Sequence, residues 1–275
     1  MTLSVETRHA TDPAAAEAMG TAALRARFHV GGLFRPGEVR LVYSHHDRLI
    51  LGSAVPDGGR LTIDRVPETG TASWLDRREA ALLNIGEGGI VEAGGEAHAV
   101  GPGEVVYLGM GAGPVTVSGA GRFYVLSAPA HRALPARRVT PDQARRVEMG
   151  APETANERTI MQFLHPEVCE TCQLLMGYTR FAPGSVWNTM PAHTHERRME
   201  AYLYFGLPEG GRVFHLMGRP GETRHIVMAD EEAVISPPWS IHAGAGTAAY
   251  TFAWAMAGDN VDFADMDAVP MEALR

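Results

Sequence analysis

Lysine is missing from this chain: among 275 residues, all 24 basic side chains are arginine. A Schiff-base mechanism needs a lysine amine and a P-loop needs its lysine, so both are excluded, and any carbonyl chemistry must be polarised by a metal or by hydrogen bonds. Cysteine is scarce too. Cys169 and Cys172 form a lone C-x2-C. It lacks the second pair of a zinc ribbon and the strand-to-helix setting of a redox motif, so ordinary buried or half-buried thiols are expected. No apolar run approaches the length of a membrane span, and Met1 to His9 lack the basic flank and apolar core of a signal peptide. Positive charge is in deficit. A net charge of −8 argues against non-specific binding to nucleic acid or anionic membrane. These absences predict a soluble cytoplasmic protein with neither nucleic acid nor membrane as partner.

What is present reads as β structure. Residues 13–28 are alanine-rich behind a proline and predict a short helix. From Phe28 onward, short apolar runs alternate with glycine and proline turns: Glu38–Tyr43, Leu49–Gly52, Ala80–Ile85, a hairpin over 89–100, and a turn plus strand over 101–108. Strands at this spacing indicate a sandwich or barrel. The halves also resemble each other. The run from Asp76 to Gly89 parallels Glu196 to Gly211, and Gly103 to Leu108 parallels Glu232 to Pro237. A repeat of about 120 residues implies two copies of one barrel. The expected fold is all-β, two barrels in tandem with a few short helices: residues 1–140 without a metal site and 141–275 with one. Residues around 130–160 read as the connecting arm.

The chemistry-bearing segment is Pro191-Ala-His193-Thr-His195-Glu-Arg-Arg-Met-Glu200, followed by Pro237-Pro-Trp-Ser-Ile-His242. Residues two apart on a strand share a face, so His193 and His195 can both turn inward. Glu200 lies an odd step beyond His195, so the polar Glu196-Arg197-Arg198 must make a turn or bulge that resets the register. A later strand brings His242 into the same interior. An unpaired carboxylate heading the apolar, aromatic strand Glu200–Phe205 would be costly. Three neutral imidazoles and one carboxylate suit a divalent first-row metal. Trp74 and Leu75 stand where the first copy would need its own histidine pair, so only the second copy carries metal.

Two barrels with His-x-His, Glu and a later Pro-x-Trp-x-x-His in one of them resemble the cupin superfamily. Two spacings depart from its general pattern: eight residues rather than five stand between Gly184 and His193, and Gly206 follows Glu200 one residue early. At finer grain the chain resembles the 5-dehydro-4-deoxy-D-glucuronate isomerases nearly end to end. The likeness is carried by Val42–His45 and Asp47-Arg48, then by Glu170–Leu174, Ala182–Gly184 and Trp187–Pro191. It continues through His193–Glu200, Glu222–Met228, Ala233–Pro237, Trp239–His242 and Ala249–Phe252. The resemblance implies a cytoplasmic, hexameric enzyme of unsaturated-uronate (pectin-type) catabolism with one Zn2+ per chain, manganese, iron or nickel remaining compatible. It implies His193, His195, Glu200 and His242 as ligands, the four that spacing also selects.

The implied reaction converts 5-dehydro-4-deoxy-D-glucuronate to 3-deoxy-D-glycero-2,5-hexodiulosonate, an aldose-to-ketose shift through an enediolate. A base near C2 and stabilisation of the developing oxyanions lower its barrier. Four ligands on tetrahedral zinc leave no open position, so catalysis would require higher coordination or release of Glu200. Because the substrate is a carboxylate and the protein is acidic, Arg158 and Arg224 are candidate anchors. His225 is a candidate proton shuttle or an outward-facing residue. Tyr202 and Tyr204 share the face of Glu200 and are candidates to line the pocket. The base itself is assigned to no residue. A cupin oxygenase acting on a diketone or thiol through the same ligands is the alternative enzyme, and a non-enzymatic bicupin the alternative class.

Overall fold

The computed structural model describes residues 2–259 and 263–275. The chain divides into two compact units built from interleaved segments. One comprises residues 1–8, 32–145 and 163–175; the other comprises 9–31, 146–162 and 176–275. A single cut near residue 140 therefore does not describe how the chain packs. Residues 9–31 supply the strand His29–Val30, which pairs with Glu232–Ser236 of the second unit. Residues 163–175 belong to the first unit, where the Glu79 carboxylate accepts the backbone N–H groups of Cys172, Gln173 and Leu174, each at 2.7 Å.

Each unit is a sheet-on-sheet β structure, and the same strand order occurs twice. In the first, the larger sheet contains the run Ile50–Ala54, Phe123–Pro129, Arg78–Asn84, Val105–Leu108. The second has the matching run Leu175–Phe181, Thr251–Gly258, Arg198–Phe205, Glu232–Ser236. The smaller sheets correspond as well: Arg60–Ile63, Val115–Gly119, Gly89–Ala93, Glu96–Val100 against Trp187–Asn188, Ile241–Gly246, Val213–Arg219, Glu222–Met228. This correspondence is the structural form of the sequence repeat. The hairpin between Gly89–Ala93 and Glu96–Val100 turns on Gly94 and Gly95, whose φ angles of 59° and 82° are the left-handed pair that a two-residue turn requires.

Alternation sets the inner faces. Along Val213–Arg219, Val213, His215 and Met217 are buried while Phe214 is exposed. The first barrel closes its interior with apolar side chains; Trp74 and Leu75 are fully buried there among Leu61, Ile63, Leu82 and Val117. The expected single helix over 13–28 is two, Pro13–Glu17 and Thr21–Phe28. Gly20 interrupts it, in an extended conformation that caps the second helix. The arm around 130–160 also carries strands, Arg137–Val139, Arg145–Met149 and the start of Arg158–Leu164.

Candidate metal centre

The second barrel brings together the four side chains that strand spacing selects. His193 lies on the two-residue strand His193–Thr194, which pairs with Asp267–Ala268. Glu196 and Arg197 form a turn, and the next strand begins at Arg198. This break resets the register, so Glu200 faces the same interior as His195. Glu200 sits in the middle of the larger sheet, opposite Ser236 on one side and Met256 on the other. His242 comes from the smaller sheet, opposite Met217.

One ligand atom from each of the four residues lies within 4.8 Å of the others. Nε2 of His193 and Nε2 of His242 are 2.9 Å apart. Oε2 of Glu200 is 3.0 Å from Nε2 of both His195 and His242. His195, Glu200 and His242 are buried and His193 is half-buried. Nδ1 of His195 lies 2.8 Å from the Arg198 carbonyl, and Nδ1 of His242 lies 3.3 Å from that of Ser240. With protons on those Nδ1 atoms, each Nε2 turns a lone pair toward the carboxylate. Such convergence of lone pairs in a buried space is tolerable only around a cation or shared protons.

The electrostatics agree with a ligand set. Burial, reinforced by His242, pulls the pKa of His193 down to about 3, so its imidazole is neutral at physiological pH. Burial alone would raise the pKa of Glu200, but the His242 and His195 imidazoles, where they share protons with it in place of a cation, hold it below the usual carboxylate range. Separations of 2.9 and 3.0 Å also suit a cation. Donors about 2.1 Å from a metal are about 3.0 Å apart at neighbouring corners of an octahedron and about 3.4 Å apart in a tetrahedron.

A cavity of about 290 Å3 opens beside the cluster. His193, Glu200, Tyr202, Thr189 and Arg158 give it polar groups, and Met149, Ile160, Phe252, Trp254 and Met266 give it an apolar wall. Arg158 is half-buried, donates to the Asn156 carbonyl at 2.8 Å, and has no carboxylate in ion-pair range among the described residues. Burial lowers its pKa from the ordinary value, yet arginine starts so far above neutrality that it remains a cation. Burial also raises Tyr202 well above its ordinary value, so it is a neutral hydroxyl at physiological pH.

Arg224 and His225 do not join this site. Their strand, Glu222–Met228, lies at the edge of the smaller sheet and, among the described residues, pairs only with Val213–Arg219. Arg224 there donates to the carbonyls of Thr223 and Glu17, and His225 is exposed beside Phe214. Tyr204 is fully buried and does not line the cavity; its hydroxyl lies 2.8 Å from Nδ1 of His215. His215, which spacing did not single out, lies on the inward face of its strand, and burial drives its pKa down to about 3. Alternation along Val213–Met217 was the available signal. Arg198 was also missed as a support: besides the carbonyl facing His195, its buried guanidinium donates to the carbonyls of Phe263 and Asp265 at 3.0 and 3.1 Å. Cys169 is buried with its pKa raised by burial to about 11, and both cysteines are free thiols, Cys172 half-buried.

Fold and site together define a two-barrel cupin-like protein with one imidazole–carboxylate cluster among the described residues. Among solved structures the chain is similar to an IolB-like protein from Salmonella typhimurium LT2 (TM-score 0.66, 17% identity, covering 80% of this chain and 86% of that one). It is also similar to Lactobacillus farciminis oxalate decarboxylase (TM-score 0.55, 10% identity, 80% and 79% covered). At these identities the likeness concerns the fold. Residues 72–270 match the model of the KduI/IolB family. The chain is 64% identical over 271 residues to the 4-deoxy-L-threo-5-hexosulose-uronate ketol-isomerase of Cereibacter sphaeroides, covering 98% of this chain and 99% of that protein. It is 57% identical over 265 residues to the protein of the same name from Agrobacterium fabrum, with 96% and 97% covered. The chain belongs to the KduI/IolB family.

Proposed function

We propose that this protein is a metal-dependent ketol-isomerase that converts 5-dehydro-4-deoxy-D-glucuronate (4-deoxy-L-threo-5-hexosulose uronate) to 3-deoxy-D-glycero-2,5-hexodiulosonate. The observation that carries the reading is the convergence of His193, His195, Glu200 and His242 beside a cavity that His193 and Glu200 line together with Arg158, a cation with no carboxylate in ion-pair range among the described residues. Relatives bearing that activity's name along nearly the whole chain support it. The finer assignments belong to the same proposal: zinc at the four residues, a cytoplasmic homo-hexamer, and a uronate derived from pectin-type polymers.

When bound, a divalent cation supplies Lewis acidity where the carbonyl and its neighbouring hydroxyl exchange roles. His193, His195, Glu200 and His242 would hold the cation, and catalysis there would require a coordination position beyond these four. Arg158 offers a planar fork to the substrate carboxylate. The apolar wall beside it excludes water and strengthens that pairing. Tyr202 contributes a fixed hydroxyl, and the backbone carbonyls of Arg198 and Ser240 hold two imidazoles in register.

The test is a coupled isomerase assay on the 4-deoxy-5-keto-uronate with native, chelated and His195→Ala protein, metal content being measured in each. Activity should follow metal content and fall at least a thousandfold in the variant, in line with the loss of a principal electrostatic contribution. Full activity in metal-free protein would sink the reading.

A further inference from the structure

Thr189 is the residue of this cavity with a left-handed backbone. Its φ is 49°, in the left-handed region, where a β-branched residue is a genuine outlier. Strain of this kind persists where surrounding structure holds it, most often at functional sites. Thr189 lines the cavity and is half-buried, whereas the other two cavity hydroxyls, on Thr179 and Tyr202, are each 2% exposed. Thr189 is therefore the most accessible of the three hydroxyl-bearing residues of the cavity.

The hydrogen bonds give that hydroxyl a direction. Tyr202 Oη donates to the backbone carbonyl of His242 at 3.2 Å. A phenol has one proton, so in the 3.0 Å contact between Thr189 Oγ1 and Tyr202 Oη the threonine is the donor. Thr189 then has only lone pairs left to offer. The chain runs one way, from Thr189 to Tyr202 to the His242 carbonyl, and each link polarises the next. An acceptor at the head of such a chain selects a hydroxyl, not a carbonyl, from whatever lies beside the four-residue cluster.

We propose that Thr189 is a substrate-contacting, specificity-determining residue whose Oγ1 accepts a hydrogen bond from the substrate hydroxyl on the carbon next to the reacting carbonyl. This rests on the keto-uronate reading above: with the carboxylate on Arg158, the aldehyde end and its C2 hydroxyl lie at the His193–Glu200 end of the cavity. The contact orients C2 and is lost when that carbon carries no hydroxyl. No bond is made or broken by Thr189 itself.

Thr189→Val keeps the β-branched shape at the same backbone conformation and removes the acceptor; Thr189→Ser keeps the acceptor. The metal-loaded wild-type and both variants are titrated calorimetrically with the uronate whose aldehyde is reduced to an alcohol, with and without its C2 hydroxyl. In parallel, kcat/KM on the keto-uronate and metal content are measured. Wild type and Thr189→Ser should bind the hydroxylated ligand about tenfold or more tightly than its 2-deoxy counterpart, and Thr189→Val should bind both alike. Thr189→Val should lose about 10- to 100-fold in kcat/KM at unchanged metal content, with Thr189→Ser within about threefold of wild type. Equal binding of the two ligands by wild type, or a preference that survives in Thr189→Val, would overturn the proposal. A preference abolished by Thr189→Val in a protein without isomerase activity would leave the Thr189 contact standing and remove the catalytic reading.

Discussion

Arg158 is the side chain assigned to substrate capture in the proposed function. Replacing it with methionine should raise KM about 10- to 100-fold and change kcat far less, because the contact lies away from the reacting carbons. Steady-state kinetics on the keto-uronate checks this, and an unchanged KM would remove Arg158 as the anchor. The ligand cluster was legible from single residues because strand periodicity converts sequence spacing directly into a shared face. His193 and His195 needed only a step of two, and the odd step to Glu200 called for the turn found at Glu196 and Arg197. Arg224 and His225 were not decidable in that way. Alternation gives two faces but does not say which of them a neighbouring segment covers, and here the carbonyl of Glu17 takes up Arg224. Thr189 was still less accessible, since its left-handed φ is imposed by packing and runs against its own preference.

Among elements, two carboxylates in the first barrel hold segments in place. Arg138, on the short strand Arg137–Val139, donates to both oxygens of Glu104 at 2.8 and 2.7 Å. That pairing, with the Gly101 N–H, holds the Glu104 pKa below its ordinary value. A depressed carboxylate contributes stability in full above the unfolded value of about 4.3 and loses it as pH falls through the lower folded value. Thermal melts should therefore show Glu104→Gln losing about 2–4 °C at neutral pH and converging on wild type in acid. A constant difference across pH would contradict the assignment. Glu79 is the stronger tether: its fully buried carboxylate accepts three backbone N–H bonds from residues 172–174 and the Tyr107 hydroxyl at 2.8 Å. Glu79→Gln should cost about 2–4 kcal/mol in urea denaturation, because an amide nitrogen must face donors. Most strands were readable here from alternation and turn residues. The break in the first helix was not foreseen, since one glycine is a modest penalty that packing can accept or use.

For the whole molecule, the interleaving of segments has a direct consequence. A fragment starting at residue 141 contains all four candidate ligands but lacks residues 9–31, whose strand His29–Val30 completes the edge of the larger sheet and whose His29 pairs with Glu232 at 2.8 Å. Expressed alone, it should lose cooperative unfolding and metal retention, and addition of a 1–31 peptide should restore part of both. Cooperative melting of the bare fragment would show that the exchanged segment is dispensable. By itself the amino-acid sequence determined the strand-rich class, the doubled barrel, the replacement of the histidine pair by Trp74 and Leu75 in the first copy and the identity of the four converging side chains. All of these follow from local periodicity and residue chemistry. Only the tertiary structure decided which arginine faces the cavity, where segments change partners and which hydroxyl stands at the cavity's reach. Those depend on contacts between residues far apart in the chain, and no local pattern encodes them.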